Sequence, residues 1–190
     1  SELAQSLGVA CETDDAVVTG LAIDSRAVKP GDLFVAIDGE HVDGHDFIDK
    51  ALDSGAAAIA CTRAIDIAAP HIKTTDPHQV CAIYGQLIRD RFHGSVIGIT
   101  GSAGKTTAKS FLESICGLAG ATVATLGNQN NELGVPLTLA RLSADPTFAV
   151  VEMGASQNGD IAYLKSMAAP HVVVLLLSLI HISEPTRPNF

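Results

Sequence analysis

The stretch from Val96 to Thr107, VIGITGSAGKTT, constrains this chain more than any other. A short apolar run rich in β-branched residues breaks into glycines, ends in Gly104-Lys105-Thr106-Thr107 and passes at once into a helical pattern. A strand, a glycine-rich turn and a helix N-terminus in that order make a cradle for phosphate. Loop N–H groups can point at the oxygens, and the helix dipole favours the negative charge. Lys105 adds a mobile positive charge for β- and γ-phosphates, and the Thr106 hydroxyl is placed to ligate Mg²⁺. The spacing departs from the common P-loop. Ile99 stands where the first loop glycine is expected, Gly98 comes one residue early and Gly101 lies inside the loop, so the loop is a shortened variant. The plain alternative is a glycine-rich strand–helix turn with an incidental lysine. The order of the elements favours the phosphate loop.

The remainder of the chain reads as strands alternating with helices, an α/β pattern that predicts parallel sheets with helices on their faces. Strands are expected at Val17–Ile23, Leu33–Ile37 and Ala57–Cys61, with a turn at Lys29-Pro30-Gly31-Asp32 and a helix over Gly44–Ser54 that Gly55 ends. These form a small α/β unit, residues 1–75. Asp76 as N-cap and Pro77 at the first helical position predict a linking helix to Phe92. A second unit, residues 76–175, holds the glycine loop. Its following helix carries Ala108, Phe111, Leu112, Ile115 and Ala119 at spacings that predict one face packed on a sheet. Thr122–Thr125, Thr147–Met153 and His171–Leu175 read as strands, Asp160–Met167 as a helix, and Gly134–Leu142 as a short helix starting near Pro136. Gly127–Glu132 reads as a polar loop with no packing role.

Ligands of such sheets bind at the carboxyl ends of the strands, where the GKTT loop, the Asn-rich loop and Glu152 would gather. Glu152 is the lone charge in VVEMGAS. A carboxylate there can hold Mg²⁺ or its waters; the alternative is an exposed glutamate at a strand end. In the first unit, Asp24, Ser25, Arg26, Asp43 and His45 fall at loop or element ends. They either shape turns and a helix start or line a polar pocket in which Arg26 meets an anion.

With 47% hydrophobic and 17% charged residues, the 190-residue chain has enough apolar matter for one large or two small domains. A net charge of −9 without a basic cluster speaks against nucleic-acid binding. Cys11, Cys61, Cys81 and Cys116 form no CxxC and no zinc-spaced cluster, so they read as small core hydrophobes in a reducing, cytoplasmic compartment. No signal peptide is evident, although the initiator methionine is missing. The apolar run His171–Ile180 is too short to span a bilayer.

Several stretches together resemble one family, the Mur ligases of peptidoglycan synthesis. DSRAVKPGDLFVAIDGEHVDGHDFIDKALDSGAAA is similar to their first, UDP-sugar-binding domain, and GITGSAGKTT to their ATP loop. GNQNNELGVPLTLARL and VVEMGAS resemble the branch of the family that adds D-alanyl-D-alanine to UDP-N-acetylmuramoyl-tripeptide. The resemblance implies that ATP phosphorylates the terminal carboxylate of the tripeptide and that the dipeptide amine attacks the acyl phosphate. It implies that Gly101, Ser102, Ala103, Gly104, Lys105, Thr106 and Thr107 bind ATP, with Asn128 and Asn131 beside the nucleotide. Thr106 and Glu152 would serve Mg²⁺, and Lys105 and Glu152 would be catalytic. Asp24, Ser25, Arg26, Asp43 and His45 belong to the motif that holds the UDP-muramoyl substrate. Ala103 replaces the usual Asn or Ser at a position that contributes mostly backbone. A monomer is expected.

After Val174 the family pattern is lost. The segment SLIHISEPTRP resembles translated sequencing-adaptor read-through, so residues 176–190 are expected to be a non-native tail and the chain an N-terminal fragment inactive on its own. The rival functions are a sibling ligase that adds the third amino acid, a folylpolyglutamate-type ligase, a non-catalytic nucleotide-binding module and an ordinary P-loop ATPase.

Overall fold

Two parallel four-stranded sheets, each built from one half of the chain, carry the fold of the computed structural model. Residues 2–7, 16–39 and 42–177 are described. Cys11 and residues 178–190 of the expected tail therefore lie outside the described residues. In chain order the elements are α1 (Glu2–Leu7), β1 (Gly20–Ala22), β2 (Asp32–Val35), α2 (Ile48–Asp53), β3 (Ala58–Cys61), β4 (His71–Lys73) and α3 (Pro77–Arg91). They continue with β5 (Ser95–Thr100), α4 (Lys105–Ala119), β6 (Thr122–Ala124), α5 (Gly134–Ala140), β7 (Phe148–Glu152), α6 (Asp160–Ala168) and β8 (Val172–Leu175).

The first sheet runs β1-β2-β3-β4 and the second β6-β7-β5-β8, with every pairing parallel. β2 and β3 are buried at all four positions, as continuous apolar runs covered on both faces should be. The helix expected over Gly44–Ser54 starts as a 3₁₀ turn, Gly44–Phe47, and Gly55 ends it with φ +99°. Neither α1 nor β4 was anticipated. β4 is three residues long and lies just after Pro70, too short for a period to register.

The helix read as a linker is a wedge between the two sheets. Asp76 caps it by accepting from Gln79 N at 3.1 Å, and Pro77 occupies the first turn. Val80, Cys81 and Tyr84 of α3 pack with Leu33, Val35, Ala60 and Ile72 of the first sheet. Ala82 and the adjoining Phe92 join Val96, Ala149 and Val151 of the second. α5 divides in the same way, with Ala140 in the first cluster and Val135 and Leu139 in the second. The two helices cross closely at Gly85, where a Cβ would lie 3.0 Å from Pro136 Cα. Arg89, on the same helix, donates to Ala168 O at 2.8 Å and Ala169 O at 2.7 Å, satisfying carbonyls that the end of α6 leaves unpaired.

One expectation about α4 is corrected. Ala108 and Leu112, with Cys116 a turn on, face Ile99, Ala124 and Val150 of the sheet. Phe111 and Ile115 lie outward, 65% and 62% exposed. The buried stripe follows i, i+4, i+8, and Phe111 and Ile115 sit one position back, roughly 100° around the helix. Two apolar stripes were present, and residue type could not say which one met the sheet. Lys109, by contrast, is buried and donates from Nζ to Thr125 O at 2.8 Å.

Cys61, Cys81 and Cys116 are buried, and burial pushes the Cys81 thiol up to about 12, which suits a packing role. Among the described residues the buried Tyr84 hydroxyl has no hydrogen-bond partner. Tyr84→Phe removes a desolvated polar atom and no bond. It is expected to leave stability unchanged or raise it by up to about 1 kcal/mol, read as the urea unfolding midpoint.

Candidate functional site

The parallel register of β5 on β7 sets Ile99 beside Glu152, so both strands end at the same level. The chain then leaves β5 through Gly101 and Gly104, at φ +143° and +81°, a region that side-chain-bearing residues seldom adopt. α4 starts at Lys105. Its ammonium folds back on the loop and donates to Gly101 O at 2.8 Å. The next residue brings the Thr106 hydroxyl to 3.3 Å from Glu152 Oε2. Ser102 N donates to Leu177 O and Leu176 N to Thr100 O, each at 2.8 Å, so Leu176 and Leu177 run beside the loop.

Glu152 is 1% exposed. Its other oxygen, Oε1, accepts from Asn130 Nδ2 at 2.8 Å, and its backbone N–H reaches Thr125 Oγ1 at 2.9 Å. A hydroxyl and a carboxylate at the mouth of a glycine loop are hard oxygen donors, the type Mg²⁺ takes, so these residues fit the ion. A cavity of about 190 Å³ opens beside them, lined by Lys105, Asn130, Asn131, Gly154 and Asp160 among others. Asp160 accepts from Ser156 N and Gln157 N, and these bonds hold its carboxyl below the usual range.

The structure thus brings Lys105, Thr106 and Glu152 together at the Gly101–Thr107 loop. Of the two asparagines singled out, Asn131 lines the cavity and accepts from Gly134 N at 2.9 Å, which starts α5 two residues before Pro136. Asn128 is exposed, and its carbonyl receives Asn130 N. Neither is bonded to Glu152. The asparagine that is, Asn130, was passed over. The loop reading is also corrected: Asn130 O accepts from Gly154 N at 2.7 Å, tying this loop to the one after β7. No signal in NQNN marks which asparagine turns inward.

The first unit has its own cleft, about 530 Å³, bounded by Asp24, Ser25, Arg26, Phe34, Gly44 and Phe47 among others. Arg26 pairs with Asp24 through Nε at 3.0 and 3.1 Å and Nη2 at 2.7 Å. These bonds hold the Asp24 carboxyl at about 2. Whatever stability the pair adds is present above the ordinary carboxylate range and lost as pH falls through about 2, and both side chains are too exposed for it to be large.

Asp43 and His45 do not line that cleft. His45 Nε2 accepts from Thr62 N at 3.0 Å, which puts the proton on Nδ1, 2.7 Å from Asp43 Oδ1 and 3.1 Å from Asp38 Oδ1. Asp43 also receives His45 N and Arg63 Nη1. The set is a hydrogen-bonded clamp joining Asp38, Asp43 and His45 to Thr62, just past the end of β3. The Nδ1 proton occupies the lone pair that a metal would need.

Two family profiles match consecutive parts of the chain: "Mur ligase family, catalytic domain" over residues 17–100 and "Mur ligase middle domain" over residues 99–182. The UDP-N-acetylmuramoyl-tripeptide–D-alanyl-D-alanine ligase of Escherichia coli strain K12 is 35% identical over 175 residues, covering 92% of this chain and 39% of the relative. The Synechocystis enzyme of the same name is 37% identical over 169 residues, covering 87% and 37%. The chain spans about two fifths of the length of the curated relatives it matches. Among solved structures, MurF from Acinetobacter baumannii superposes with a TM-score of 0.80 at 32% identity, covering 92% of this chain and 39% of that one. MurF ligase from Thermotoga maritima in complex with ADP gives 0.74 at 37% identity, covering 87% and 39%.

Proposed function

The chain belongs to the Mur ligase family, and on that premise we propose that its parent protein joins D-alanyl-D-alanine to UDP-N-acetylmuramoyl-tripeptide, driven by ATP. The observation that carries the reading is the convergence of Lys105, Thr106 and Glu152 at the carboxyl ends of β5 and β7. Relatives 35% and 37% identical bear that activity in their names, and a similar solved structure holds ADP.

In this reading the second unit, residues 76–175, holds ATP and the first, residues 1–75, holds the UDP-muramoyl substrate. The Gly101–Thr107 loop surrounds the phosphates with N–H groups, and Lys105 leaves Gly101 O to meet the γ-phosphate. Thr106 and Glu152 would hold Mg²⁺, which would screen the negative charge shared by nucleotide and carboxylate. The substrate carboxylate attacks the γ-phosphorus, giving an acyl phosphate and ADP. The dipeptide amine then attacks the acyl carbon, and the tetrahedral adduct collapses to an amide and inorganic phosphate, with release of one proton. The protein's share is chiefly positioning and charge neutralisation. In the first unit, Arg26 at the rim of the 530 Å³ cleft supplies a cation for a diphosphate, and the His45–Asp43 clamp fixes the cleft wall at Gly44. The reaction is placed in the cytoplasm, where ATP is supplied.

The test is a coupled assay of the full-length gene product. Sustained ADP release beyond one turnover is expected only when UDP-muramoyl-tripeptide and D-alanyl-D-alanine are both present, with an amide product of matching mass. ADP release without either substrate would instead mark an ordinary ATPase.

A further inference from the structure

We propose that Asn130 is a positioning residue that aims the Glu152 carboxylate at the metal site beside the glycine loop. The proposal rests on the reading of Glu152 as an Mg²⁺ ligand. A glutamate at a strand end has three side-chain torsions, and burial alone does not choose among them. Among the described residues, two donors meet its carboxylate: Thr106 Oγ1 on Oε2 and Asn130 Nδ2 on Oε1. The first lies on the oxygen that faces the metal site, at 3.3 Å, and a Thr106 hydroxyl that gives a lone pair to a cation must re-aim its hydrogen around the ion. Asn130, at 2.8 Å on the oxygen away from Thr106, is the tether that need not move when the ion binds.

Asn130 is suited to this because its backbone is held independently of its side chain. Its N–H donates to Asn128 O at 2.8 Å and its carbonyl accepts from Gly154 N at 2.7 Å. Gly154 is pressed against it: a Cβ there would lie 2.7 Å from Asn130 Oδ1. The loops after β6 and β7 are therefore joined at Asn130, and its amide reaches back to the last residue of β7. Partners that orient a metal ligand typically contribute 10- to 100-fold in metal affinity.

The experiment measures ADP binding to this chain by calorimetry, with EDTA and across a Mg²⁺ series, for the native protein, Asn130→Ala and Asn130→Ser. Both replacements keep the backbone bonds and are too short to reach Glu152. The expected result is ADP affinity unchanged in EDTA and a Mg²⁺ concentration for half-maximal enhancement raised about 10-fold. The EDTA arm reports whether the loop is still folded, since a collapsed loop would lose ADP there too. A Mg²⁺ requirement within twofold of native in both variants, or an equal loss with and without Mg²⁺, overturns the proposal. Glu152→Gln separates the two layers. If it abolishes the Mg²⁺ effect and the Asn130 variants do not shift it, Asn130 is no positioning residue. If it leaves the Mg²⁺ effect intact, the Glu152 reading itself is wrong.

Discussion

Lys105→Ala is expected to weaken ADP and ATP binding by about 100-fold, the equivalent of about 2.7 kcal/mol, with the urea midpoint of the ligand-free protein almost unchanged. The asymmetry follows from what the side chain touches. Among the described residues of the ligand-free protein the Lys105 ammonium makes one bond, to Gly101 O, and it is partly open to water. Losing that bond frees a carbonyl that water can satisfy, a small cost. In the proposed complex the same ammonium would face phosphate oxygens at the N-terminus of α4, and among the described residues neither Arg26 nor Lys109 could replace it. Arg26 belongs to the other sheet, and Lys109, one turn along, is buried with its donor on Thr125 O. Lys105→Arg is a poor rescue, because a planar fork does not fit the space that a point charge occupies between two glycines. Calorimetric titration with ADP checks the affinity, and an unchanged Kd would remove the loop from the site.

The parts of this molecule that were legible in the sequence are those set by neighbours in the chain. Asp76 and Pro77 state where α3 begins, and Gly55 where α2 ends, because caps and left-handed residues act within one turn. The glycine loop is local for the same reason. Glu152 was legible because a lone carboxylate in an apolar strand asks for an explanation. What could not be read depends on contacts between distant segments. Asn130 differs from Asn128 and Asn131 only in meeting Gly154 and Glu152, more than twenty residues on. The sheet-facing stripe of α4 was hidden by a second apolar stripe, Phe111 and Ile115. Asp43 and His45 stood out by chemistry, yet Thr62 N, which fixes the tautomer, lies seventeen residues away. The double role of α3 was invisible as well. Apolar residues around more than one face look like a generously hydrophobic linker until the second sheet is set against it.

Glu152→Gln is expected to remove the Mg²⁺ enhancement of ADP binding in this chain, and in the full-length enzyme to lower amide formation by about 10³-fold. The replacement is nearly isosteric, which matters because Glu152 is buried and a cavity would confuse the result. Its hydrogen bonds can be rebuilt. The amide oxygen accepts from Asn130 Nδ2 in place of Oε1, and the amide nitrogen donates to Thr106 Oγ1, which reverses its own role from donor to acceptor. The strand bonds are untouched, since Glu152 N still meets Thr125 Oγ1 and Ile99 still pairs in register. The fold is therefore kept, and one negative charge is lost at the place where a divalent cation is to be held. A neutral amide oxygen is a weaker ligand for Mg²⁺ than a carboxylate, and the reversed hydroxyl now offers its lone pair to the amide rather than to the ion. ADP affinity in EDTA should be unchanged or slightly improved, because a carboxylate near the phosphates is gone. Loss of ADP binding in EDTA would mean that Glu152 is needed for the shape of the loop. Mg²⁺ enhancement equal to that of the native protein would mean that the ion is held elsewhere.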